Sequence, residues 1–73
     1  MQRSLAERVV GEIRAEMARQ DVTQAEVAQK LGVTQQTLSK RFAGLKPFDL
    51  LEVERLADIL GVPVRQFLNG AAA

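Results

Sequence analysis

The 73 residues predict an all-α domain, and three observations carry that prediction. Apolar residues recur at helical spacing from Leu5 to Leu68, while period-two alternation never lasts long enough for a strand. Ser4-x-x-Glu7, Thr23-x-x-Glu26 and Asp49-x-x-Glu52 each have the form of a capping box, which opens a helix by satisfying its first backbone donors. Gly32 and Gly61 follow apolar runs where a helix C-terminus wants a residue able to take positive φ. Together these give a compact five-helix domain over residues 1–73, with helices at about 4–20, 23–31, 34–43, 49–60 and 63–68 and a tail at 70–73.

In the first helix Leu5, Val9, Ile13 and Met17 make the apolar stripe, with Ala6 and Val10 beside it. Glu7, Arg8, Glu12, Arg14, Glu16 and Arg19 are expected to form its solvated face. Gln20-Asp21 ends this helix without a strong stop signal. Helix two buries Val27, Ala28 and Leu31. Only Gly32, Val33 and Thr34 separate it from helix three, so the two must cross sharply. Ala28 suits that crossing because little more than a methyl fits there. Thr34 is a good N-cap for helix three. Pro47 disfavours helix in the residue before it and places a loop at 45–48. Leu50, Val53, Leu56, Ala57 and Leu60 give helix four its core side. Pro63 suits the first turn of a fifth helix that Asn69-Gly70 ends.

Composition excludes several functions. The chain lacks cysteine and histidine, so it offers neither thiolate nor imidazole for a metal, a nucleophile or a general base. Its carboxylates are scattered over solvated faces, and no catalytic constellation is evident. An enzyme, a metal site and a cofactor are therefore not expected. No apolar run approaches the roughly 20 residues of a membrane span. The N-terminus carries acids in its first turns and lacks a signal-peptide apolar core. These features read as a soluble, cytoplasmic protein with no membrane partner.

The net charge of +1 says little, but its distribution is uneven. Lys30, Lys40, Arg41 and Lys46 stand with no acid between Val27 and Phe48, and acids dominate on either side. A basic island of this kind is the footprint of a surface that meets nucleic acid. Projected at 100° per residue, Gln35, Gln36, Ser39 and Lys40 share one sector of helix three. Thr37, Leu38 and Arg41 fall largely opposite. Glutamine suits base reading, since its amide both donates to N7 and accepts from the N6 amino group of adenine. On an arbitrary helix two adjacent glutamines are only surface; the surrounding pattern makes them candidate readers.

That pattern, Gln24-x-x-Val27-Ala28-x-x-x-Gly32-Val33-Thr34-x-x-x-Leu38-Ser39, resembles the helix-turn-helix of phage repressors and Cro-type (XRE-like) regulators. Gly44, helix four and Leu60-Gly61-Val62 resemble the rest of that five-helix domain, so the likeness spans roughly residues 5–69. It implies sequence-specific binding of double-stranded DNA, with helix three in the major groove. It implies base contacts from Gln35, Gln36 and Lys40. Gln24 is implied to touch the phosphate backbone and to brace Gln35. Thr23 and Thr34 are secondary phosphate candidates, Lys46 is a loop contact to the sugar-phosphate backbone, and Ser39 is a groove-facing spacer or phosphate contact. Lys30 is expected to be solvated, and Phe42, Phe48 and Phe67 to be core or interface residues.

One turn departs from the family. Arg41 stands where the family usually carries an apolar residue. Phe42 stands where it often carries a Glu that pairs with an Arg at the position of Met17. Met17 and Phe42 are expected to pack together in place of that pair. Arg41 would then lay its stem over the core and send its guanidinium either to a phosphate or to an acid of helix four.

A groove face this small reads few bases, which suggests two copies on a palindromic operator with half-sites one helical turn apart. Val64, Phe67, Leu68 and Asn69 are candidates for the dimer contact, though Phe67 and Leu68 would equally serve to close the core. A transcriptional repressor is the first reading. The alternative is a protein-interaction module on the same fold, such as an antitoxin or an adaptor.

Overall fold

A computed structural model describes residues 4–72, with side chains placed through Leu68. Helix α1 spans Leu5–Gln20, α2 Gln24–Leu31, α3 Gln35–Phe42, α4 Leu50–Leu60 and α5 Arg65–Ala72; no strand occurs among the described residues.

Local chemistry sets the helix starts. Ser4, Thr23 and Asp49 are N-caps with complete capping boxes, each accepting from the backbone N–H three residues on while Glu7, Glu26 and Glu52 return the bond. Thr34 caps α3 by accepting from the Thr37 N–H. The helix ends share a second device, the Schellman motif. In it Val22, Val33, Leu45 and Val62 donate back to the carbonyls of Met17, Ala28, Lys40 and Ala57. The residue before each donor sits at positive φ. Three are the glycines Gly32, Gly44 and Gly61, and the fourth is Asp21 at φ 56°. Asp21 is the stop signal that is hard to read in the sequence, because a residue with a Cβ reaches the left-handed region only at some cost.

The core gathers from all five helices. Ile13, Val27, Leu38, Leu56 and Phe67 are the largest fully buried side chains, one from each helix. Val9, Met17, Ala28, Leu31, Phe42, Val53, Ala57 and Leu60 complete the cluster. Helix α1 lies against α4 and α5, and α2 lies against α3 and α4. The pair α2–α3 is thus held from behind by α4, and one face of α3 is left to solvent.

Several sequence expectations change here. Leu5 and Leu50 are not core residues, being 63% and 79% exposed. Each is the first residue of its helix. A helical side chain lies over the turn preceding it, and at this position no such turn exists. Ala6 is exposed as well. Glu16 leaves the solvated face and is only 7% exposed. Helix α5 does not stop at Leu68 but continues to Ala72. A single Gly70 costs a helix only about 1 kcal/mol, and the alanines beyond it are the best helix formers.

Candidate nucleic-acid interface

Helix α3 divides into two sides. Leu38 and Phe42 are buried, and Thr37 and Arg41 are half-buried toward the same side. Gln35, Gln36, Ser39 and Lys40 are exposed and line one shallow depression. Among the described residues the side chains of Gln35, Gln36 and Lys40 make no intramolecular hydrogen bond or ion pair. Two amides and an ammonium group therefore stand together with their donors and acceptors open to a partner. Lys46 is exposed in the segment between α3 and α4, likewise with no ion pair among the described residues.

The hydroxyl groups behave differently. Thr23 Oγ1 donates to Glu26 Oε1 at 3.0 Å and accepts from the Glu26 N–H. Thr34 Oγ1 donates to Thr37 Oγ1 at 2.9 Å and accepts from the Thr37 N–H. Ser39 Oγ donates to Gln24 Oε1 at 3.1 Å. A hydroxyl has one proton to give, so none of the three has a donor left for a phosphate while these bonds hold. Gln24 is accordingly held by Ser39 and not by Gln35.

Glu26 completes the start of α2. The backbone N–H of Thr23, first, and then its hydroxyl hold the Glu26 carboxyl below its ordinary value, with Lys30 adding to the effect. The carboxylate remains ionised and turned back on the cap.

Arg41 is the residue whose direction the sequence leaves open. Its Nη1 pairs with Glu52 Oε1 and also donates to the Pro47 carbonyl at 3.3 Å. Both charged side chains are largely covered, at 14% and 16% exposure. The guanidinium thus goes to the acid of α4. Glu52 simultaneously caps α4 by accepting from the Asp49 N–H at 3.0 Å. One carboxylate therefore ties the end of α3 to the start of α4 across the loop that carries Lys46. Glu52 is recognisable in the sequence as a capping residue; its second role depends on how the loop folds back.

Met17 and Phe42 both enter the core cluster. The ring of Phe42 meets Phe48 edge-on, with centroids 5.4 Å apart, and the Arg14 guanidinium lies 5.1 Å from the ring centre. Arg14 Nη2 also donates to the Phe42 carbonyl at 3.4 Å. A cation at a helix C-terminus is favourable, because the last carbonyls carry the negative end of the dipole. The cluster holds both Met17 and Phe42, and the ring makes further contacts with Phe48 and Arg14. Arg14 is exposed, as its place on the polar face of α1 implies, but its contact with Phe42 is not legible in the sequence.

Of the dimer candidates, Phe67 is 0% exposed and serves the core. Val64 is half-buried, Leu68 is 39% exposed, and the side chain of Asn69 lies outside the described residues.

A short α2, a three-residue turn beginning at Gly32, and an α3 whose outer face is polar and basic define a helix-turn-helix unit inside an all-helical domain. Residues 13–67 match the helix-turn-helix family, and the chain belongs to it. The family is one of DNA-binding domains of transcription regulators, and its role is regulatory rather than enzymatic. No curated protein and no solved structure matches the chain. Among the described residues no helix is long and apolar enough to cross a membrane.

Proposed function

We propose that this chain is a sequence-specific repressor of the phage repressor and Cro type, acting in the cytoplasm on a palindromic operator. Helix α3 enters the major groove and α2 crosses above it. Gln35, Gln36 and Lys40 read base edges. Gln24 and Lys46 meet phosphates on either side and set the register. The observation that carries this reading is the open depression formed by Gln35, Gln36, Ser39 and Lys40. Side chains that stabilised the fold would be bonded within it, as Arg41 is; those of Gln35, Gln36 and Lys40 have no bonding partner among the described residues.

Two copies act together. With Phe67 in the core, Leu68 becomes the main apolar contact on α5, with Val64 supporting it. Leu68 shares an open groove with the exposed Leu5 and Leu50. Exposed apolar side chains collected in one place are the mark of a surface that meets a partner, and the second copy is the occupant proposed here.

The test is selection of bound duplexes from a random DNA pool, followed by titration of salt. The expected product is a two-fold symmetric site with half-sites about 10 base pairs apart. Affinity for it should fall steeply with salt, and Lys46→Ala should flatten that slope by about one. Recovery of no preferred duplex, or salt-independent binding, would overturn the reading. Leu68→Glu should abolish cooperation between half-sites and leave single half-site affinity unchanged.

A further inference from the structure

Ser39 and Gln24 are fifteen positions apart, yet theirs is the only side-chain hydrogen bond between α2 and α3 among the described residues, with Ser39 Oγ 3.1 Å from Gln24 Oε1. The distance is that of a well-formed hydrogen bond. Ser39 is exposed within the proposed reading face, and Gln24 is half-buried at the first turn of α2. We infer that Ser39 is a positioning residue for Gln24. Its hydroxyl holds the amide oxygen, so that the Gln24 amino group is the end turned toward a DNA phosphate. This rests on the DNA-binding reading above and adds to it a division of labour within the depression.

The chemistry follows from the donor inventory. An amide has an accepting end and a donating end, and a phosphate oxygen only accepts. With the oxygen engaged by Ser39, two N–H donors remain for the phosphate. With the amide reversed, its oxygen would face the phosphate and repel it. Ser39 has then given its single proton to Gln24, so it has no donor left for a phosphate or a base edge. The bond also joins the helix that crosses the backbone to the helix that enters the groove, and so couples their placement. Gln35 is released from bracing duty and keeps its whole amide for base contact.

A double-mutant cycle tests this on the duplex recovered by selection and on a scrambled duplex of equal length. Ser39→Ala is expected to weaken binding to both by about three- to tenfold, the size of one hydrogen bond. Base preference, salt slope and melting temperature should be unchanged. Gln24→Ala should lose at least as much. The double variant should lose no more than Gln24→Ala alone, because the two side chains act as one unit. Ser39→Thr, which keeps the hydroxyl, should restore binding. Additive losses, or a changed preference at one base pair with Ser39→Ala, would overturn the inference while leaving DNA binding intact. Failure of the wild-type chain to bind either duplex would overturn both this inference and the reading it rests on.

Discussion

The two sides of α3 contain similar chemical groups put to opposite uses. On the outer side Gln35, Gln36 and Lys40 are exposed, and their side chains are unbonded among the described residues. On the inner side Arg41 is closed over Glu52, and Phe42 is held between Phe48 and Arg14. Lys40 and Arg41 are neighbours in sequence and both are cations, but one is available and the other is committed. The difference teaches that a basic island in a sequence overstates the charge a partner would meet. Of its four cations, Lys30, Lys40 and Lys46 remain exposed, while Arg41 neutralises an acid of the fold.

Substitutions on the two sides should therefore separate stability from recognition. The largest effect is expected from Phe42→Ala, which removes the buried ring and leaves a cavity. It should cost about 3 kcal/mol or more, and a small domain has little stability to spare. Chemical denaturation measures it directly, and a loss below about 1 kcal/mol would show that the Phe48 and Arg14 contacts contribute little. Arg41→Ala should come next. It leaves the part-buried Glu52 carboxylate with its cap bond alone, at a cost of about 2 kcal/mol, while the salt slope of DNA binding stays as in the wild type. A flatter slope would mean that Arg41 meets phosphate after all.

On the outer side, Gln36→Ala should leave the unfolding curve in place. Its expected effect is the loss of about 1–2 kcal/mol of discrimination at a single base pair, read by competition among point variants of the selected site. A uniform loss over all sequences would argue against base reading. Asp21→Gly should produce the smallest change, and in the opposite direction. Glycine takes the left-handed conformation without strain and removes an acid from the negative end of α1, so a gain of about 0.5 kcal/mol is expected. A loss would show that the Asp21 side chain has a favourable role at that turn.

Glu16 offers a comparison by pH. Its carboxylate accepts from Gln20, from Arg19 and from Gln66, while Gln20 also donates to the Leu60 carbonyl at 2.6 Å. The Gln20 bond, then the Arg19 bond, hold its carboxyl below the ordinary value of 4.5, against the opposing effect of desolvation. A carboxyl depressed in the folded state stabilises the fold above its unfolded pKa, and that contribution disappears as pH falls through the folded value. Melting temperature should therefore fall on acidification below about pH 4.5. Glu16→Gln should make that fall shallower, with Glu26, also depressed, supplying what remains. An unchanged acid limb in Glu16→Gln would rule out this linkage.

Much of the fold is legible in the sequence where its cause is local. The Ser4, Thr23, Thr34 and Asp49 caps depend on a side chain and a backbone group three residues away, so spacing alone reveals them. The same holds for Gly32 and Gly61. The division of α3 into two sides follows from a fixed angular step, and the buried Leu38 with the exposed Gln35, Gln36, Ser39 and Lys40 agrees with it. Asp21 was hidden because its positive φ contradicts the usual preference of its residue type.

What the sequence by itself determined is the all-helical class, the helix starts, the short turn between α2 and α3, and the face of α3 that stays outside the core. These follow from backbone capping and helical periodicity, whose range is one or two turns. Tertiary structure alone decided which polar groups are left for a partner. Glu16 became buried because α5 returns to bring Gln66 against it, and Arg41 turned inward because the loop at 43–49 brings Glu52 beneath it. Gln24 found Ser39 because α2 and α3 cross. Each of these bonds joins residues far apart in the chain, and a charged or amide group takes whichever partner the packing of apolar helices presents to it.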